Sequence, residues 1–96
     1  MSRRSRLDIY FDILQVLDIG IDKPTRIMSK ANLSWIILQE MFETLILGGF
    51  IREENEMGPQ RYYLTDKGKN ALSYHRKSIE GLVNDKQILM NIAYQR

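Results

Sequence analysis

The stretch Lys30-Ala31-Asn32-Leu33-Ser34 divides two apolar helical patterns and leaves almost no room between them. Asn32 tolerates the left-handed backbone that ends a helix, and Ser34 suits the capping position of the next one. A chain with such a break turns one helix sharply onto another. The helix before the break is short, Thr25 to about Lys30, with Pro24 suited to its first position and Ile27 and Met28 facing inward. The helix after it runs from Trp35 to Leu47. Trp35, Leu38, Phe42, Leu45 and Ile46 mark its inward stripe, and Gly48-Gly49 stops it. On this spacing Ile36, Ile37 and Met41 add apolar surface to the outer face.

The flanking segments complete an order of elements. Upstream, Ser5 and Asp8 have the spacing of a short capping box. Leu7, Tyr10, Phe11, Leu14 and Leu17, with Ile9, Ile13 and Val16, give a first helix that Gly20 ends. Downstream the period changes. Phe50-Ile51 and Tyr62-Tyr63-Leu64 read as short extended pieces around the polar turn at residues 55–60. Thr65 caps a last helix, with Asp66 in its first turn opposing the helix dipole.

Helix-compatible sequence then continues to the end of the chain. Leu72, Ile79, Leu82, Val83, Leu89, Met90 and Ala93 recur at three-, four- and seven-residue spacings. A helix that outruns its own small core seeks a partner, often its own copy. Gly81 and residues 84–87 are the places where it would break. The order helix, helix, helix, hairpin, long helix is the winged helix-turn-helix arrangement, mainly α with a small β-hairpin (α+β). Residues 1–68 form the winged-helix domain with a basic N-terminal arm, and residues 69–96 the dimerisation helix.

Composition narrows the function. Ninety-six residues support one modest core. The absence of cysteine excludes disulfides and thiolate zinc sites. His75 is the only histidine, which leaves no metal-ligand set and makes a solvated helix position its default. The pairs Asp8/Asp12 and Glu40/Glu43 read as solvated faces, and nothing assembles a nucleophile, a base and an oxyanion site. The chain therefore reads as a non-enzyme with no cofactor and no evident small-molecule ligand. No apolar run is long enough to cross a bilayer, and Asp8 and Asp12 interrupt the basic N-terminus, which favours a cytoplasmic protein.

Net charge is only +2 but is unevenly spread. Residues 1–30 carry six basic and four acidic side chains, residues 31–60 one and five, and residues 61–96 seven and three. Both ends are basic and the middle is acidic, so a basic face depends on how the ends fold together.

Residues 23–51, KPTRIMSKANLSWIILQEMFETLILGGFI, followed by YYLTDKGKNAL at 62–72, resemble the small archaeal winged-helix DNA-binding proteins of the ten-kilodalton "a" family. The TRIM and ANLS pieces at 25–28 and 31–34 are the more specific part. YxLTxKG at 62–68 is shared by many winged-helix proteins. The resemblance implies a homodimer joined by an antiparallel coiled coil of the last helices, with Leu72, Ile79, Leu82 and Leu89 at its seam. It also implies binding of double-stranded DNA through the third helix and the wing, in transcription regulation or nucleoid organisation.

The chemistry assigns candidates to that task. Ser34 and Gln39 sit where a recognition helix reaches base edges. Arg26 and Lys30, four apart, suit phosphates. Arg61, with Arg52, lies on the wing, while Arg3, Arg4 and Arg6 form a flexible basic arm. One departure opens an alternative: the third helix carries Glu40 and Glu43 where members of that family often place basic residues. A protein-interaction module, meeting its partner through Ile36, Ile37, Glu40 and Glu43, fits that face as well.

Overall fold

The computed structural model describes residues 4–94, with side chains described for residues 4–80. Its elements are α1 (Arg6–Asp18), α2 (Pro24–Ala31), α3 (Trp35–Leu47), β1 (Ile51–Glu54), β2 (Arg61–Leu64) and α4 (Asp66–Tyr94).

Local chemistry sets the boundaries. The Ser5 hydroxyl accepts from the Asp8 N–H at 3.0 Å, and the Asp8 carboxylate accepts from the Ser5 N–H at 2.9 Å, closing the capping box of α1. Asn32 adopts φ 55°, ψ 57°, and its N–H returns to the end of α2. The Leu33 N–H follows onto the Met28 carbonyl at 3.0 Å. Ser34 then caps α3 by accepting from the Ile37 N–H at 3.3 Å. Thr65 caps α4 through the Gly68 N–H at 3.1 Å.

The core is assembled from every helix and the hairpin. Ile13, Ile27, Leu38, Ile51 and Leu72 are its most buried large side chains, from α1, α2, α3, β1 and α4 respectively. Each contributes about 1.5–3 kcal/mol relative to exposure. The strands pair antiparallel with Ile51 opposite Leu64 and Glu53 opposite Tyr62. Tyr62 stacks on Phe42 with ring centroids 4.0 Å apart, which seats the hairpin against α3. The Tyr62 N–H also donates to the Asp22 carbonyl at 3.0 Å, tying the α1–α2 loop to β2. At Gly68 a Cβ would lie 2.1 Å from the Phe50 carbonyl oxygen, so only glycine lets α4 approach the chain this closely.

α4 is continuous through Gly81 and residues 84–87, about 43 Å of helix. Its length stretches the molecule to 64 × 31 × 21 Å, with a radius of gyration of 16.8 Å against about 12.5 Å for a compact chain of this size. Among the described residues no helix is long and apolar enough to cross a membrane.

Three expectations are corrected. Trp35 is 46% exposed, while Met41, expected outside, is 3% exposed in the core. His75 is not a solvated position: it is half-buried and stacks on Phe11 with centroids 3.7 Å apart and planes 7° apart. Leu72, expected at the dimer seam, is 1% exposed in the domain's own core. Past residue 68, the first turns of α4 still pack on α1, where Arg76 reaches Asp18 at 3.2 Å.

Candidate nucleic-acid interface

The two helices of the helix-turn-helix unit carry opposite charge. α2 contains Arg26 and Lys30 and no acidic residue, and Lys23 is its N-cap. Arg26 and Lys30, four apart, share one face of α2, and Lys23 stands at its start in extended backbone. All three are exposed, and none has an ion pair among the described residues. α3 contains Glu40 and Glu43 and no basic residue.

At the front of α3, Ser34 is exposed and borders a groove with Arg4, Arg6, Asn32, Leu33, Ile37 and Glu40. The first N–H groups of a helix carry partial positive charge, so this end tolerates an anion. Arg4 is not part of a flexible arm. Its guanidinium donates to the carbonyls of Ala31 at 2.6 Å and Asn32 at 2.7 Å, and pairs with Asp12 at 3.0 Å. Those carbonyls belong to the end of α2, where acceptors lack helical partners and a cation is favoured. Arg4 thus fastens the start of the chain to the turn before α3. Arg6 is the first residue of α1 and donates from Nε to the Tyr10 hydroxyl at 2.8 Å. Arg3 lies outside the described residues.

The rear of α3 differs. Gln39 is exposed and lines a groove with Phe42, Glu43, Ile46, Leu47, Glu53, Gln60 and Tyr62. It faces the wing side, apart from the groove at Ser34. No basic side chain lines this groove. Burial, and then the Glu53 carboxylate, push the Tyr62 hydroxyl above its ordinary pKa.

The wing's cations are engaged within the fold. Arg61 is half-buried, with Nε 3.9 Å from the Asp22 carboxylate. Arg52 pairs with Glu54 and lies over the Tyr63 ring at 5.1 Å. Beyond them the exposed tip, residues 55–60, presents Glu56 and Met57. Arg61 stands opposite Glu54 at the turn end of the ladder, and there its guanidinium faces the Asp22 carboxylate.

Of the expected dimer residues, Ile79 is 48% exposed on α4, and the side chains of Leu82 and Leu89 lie outside the described ones. Two features escaped the sequence reading. Lys23 is not among the expected site residues, though it lies three residues before Arg26 and seven before Lys30. The Arg4 fastening joins residues 27 and 28 positions apart, which no local pattern reports.

Comparison with known proteins bears on these features. A protein from Methanocaldococcus jannaschii, described as uncharacterized protein MJ0287, is 35% identical over 71 residues, covering 74% of this chain and 69% of that one. Among solved structures, the MarR family transcription regulator SP03579 superposes with a TM-score of 0.71 at 15% identity, over 79% of this chain and 53% of that chain. This chain therefore spans about half the length of that regulator. Sso10a-2, a DNA-binding protein from Sulfolobus solfataricus, superposes with a TM-score of 0.66 at 24% identity, over 93% of this chain and 96% of that chain. The winged helix-turn-helix family pattern matches residues 3–82, and the chain belongs to that family.

Proposed function

We propose that this chain binds double-stranded DNA as a homodimer and serves transcription regulation or nucleoid organisation in the cytoplasm. The observation that carries the reading is the α2 face, where Lys23, Arg26 and Lys30 stand exposed and free of ion pairs among the described residues. In helix-turn-helix proteins the first helix crosses the sugar–phosphate backbone while the second enters the major groove. Here the first helix carries the cations, so backbone contacts dominate and the binding is sequence-tolerant. The exposed Ser34 end of α3 adds N–H groups and a hydroxyl to the same backbone.

Kinship with the ten-kilodalton "a" proteins is part of the proposal. The superposition on Sso10a-2 over nearly the whole of both chains supports it. So does the length of α4, which continues well beyond Leu72, its contribution to the core. Residues 1–80 act as the DNA-binding unit, and the rest of α4, with Ile79, Leu82 and Leu89, as the dimer seam. Replacing Leu82 and Leu89 by Glu converts the dimer to a monomer in sedimentation; an unchanged species would remove the seam from the proposal.

The salt dependence of duplex affinity tests the DNA reading. Affinity falls steeply with salt, and Arg26→Ala with Lys30→Ala lowers the slope of log affinity on log salt by about 2 for every sequence alike. No detectable binding at about 50 mM salt, or a loss confined to particular sequences, would refute it.

A further inference from the structure

The outward stripe of α3 is the part of the recognition unit that the DNA reading leaves unused. Ile36, Glu40, Glu43 and Leu47 follow one another at spacings of four, three and four, which places all four on one face of a helix. Ile36 is 74% exposed and Leu47 82% exposed, and both carboxylates are exposed between them. The stripe spans about 16 Å. Two large aliphatic side chains at the ends of one exposed helical face form an unpartnered surface, and desolvating it would be favourable. Beside it the rear groove adds Gln39 and Glu53 without a basic side chain.

We infer that this stripe docks a helix of a partner protein that carries Lys or Arg at two central positions and an apolar residue at each end, in the mirror spacing of four, three and four. Charge complementarity selects that occupant. Two carboxylates on one face repel a phosphate backbone and an acidic peptide and attract paired cations, while Ile36 and Leu47 take the flanking apolar side chains. The chain's own sequence does not supply such a helix. Only Arg3/Arg6 and Lys23/Arg26 place cations three apart, and neither pair has apolar residues four positions out on both sides. The inference stands on α3 and the wing alone and does not depend on DNA binding by α2.

The test uses the full chain and a synthetic amphipathic peptide that carries the apolar–Lys–Lys–apolar pattern and lacks tryptophan. Trp35 is the single tryptophan of the chain, lies next to Ile36 and is 46% exposed, so its fluorescence reports docking. The patterned peptide binds at least about tenfold tighter than a scrambled peptide of the same composition, and Glu40→Gln with Glu43→Gln removes that advantage. Equal binding of the two peptides, or binding untouched by the double variant, overturns the inference. Two further measurements on the double variant separate other occupants. Loss of two negative charges by itself raises duplex affinity, so if affinity instead falls by more than about threefold, the carboxylates contact bases; if its sedimentation changes without peptide, the stripe faces a second copy. Either result overturns the inference. The DNA reading fails separately, in the salt series of the wild-type chain.

Discussion

α2 and α3 are neighbours joined by a three-residue turn, yet they present opposite charge to solvent. α2 shows Lys23, Arg26 and Lys30 and no carboxylate; α3 shows Glu40 and Glu43 and no cation. Both bury an apolar stripe in the same core, Ile27 and Ala31 from one and Leu38, Met41, Phe42 and Leu45 from the other. The fold therefore dictates how the two helices pack and leaves their outer faces free. The difference teaches that a helix-turn-helix scaffold does not by itself make the second helix a polyanion reader. The exposed cations lie on α2, and the turn made by Asn32 and held by Arg4 sets the exposed front of α3 beside them.

The comparison can be broken most severely at the rear of α3. Gly68→Ala drives a Cβ into the Phe50 carbonyl and forces α4 away from the segment that follows α3. The expected loss is about 1–3 kcal/mol or more, seen as a lower midpoint in chemical denaturation. An unchanged midpoint would mean that α4 is not seated as described.

A smaller effect is expected at the front. Arg4→Ala removes two charge-assisted hydrogen bonds from the end of α2. Such bonds are each worth about 1.5–3 kcal/mol when buried, and the half-exposed setting of Arg4 reduces the total to about 1–2 kcal/mol. Duplex affinity should fall with stability and recover when the fold is stabilised by osmolyte. Failure to recover would make Arg4 a direct DNA contact.

The smallest effect concerns the capping box beside Arg4. The backbone hydrogen bond from Ser5, and then its hydroxyl, hold the Asp8 carboxyl below its ordinary value of 3.8. A carboxyl lowered on folding contributes stability at pH values above 3.8, and loses it as pH falls through the lowered value. Asp8→Asn should flatten that acid limb of the stability profile and leave neutral-pH DNA binding alone. An identical acid limb would show that the box does not persist in solution.

Much of this architecture was legible because its signals are local. Ser5, Asn32, Ser34 and Thr65 each act within three or four residues, and each sits at the boundary its chemistry indicates. The hairpin turn at residues 55–60 was legible for the same reason. Trp35 and Met41 were not. Both lie about 60° from Leu38, on opposite sides of the buried stripe, so periodicity is symmetric between them. Tertiary neighbours break the tie: Met41 is turned inward, lining the groove with Ile9 of α1, and Trp35 is left outside. Leu72 shares the spacing of the later α4 stripe, yet packs in the domain core, which that spacing alone does not reveal. Among the site residues, Ser34 stands where its spacing placed it. Arg4 and Arg61 changed meaning because their partners, Asn32 and Asp22, are remote in sequence.

Backbone NMR of the labelled full chain titrated with a short duplex tests the division between α2 and α3 most directly. The account predicts perturbed amides over Lys23–Lys30 and Asn32–Ile37, with Glu43, Leu47 and Glu53 unmoved. Perturbations centred on Gln39–Leu47 and the wing, with α2 silent, would contradict it.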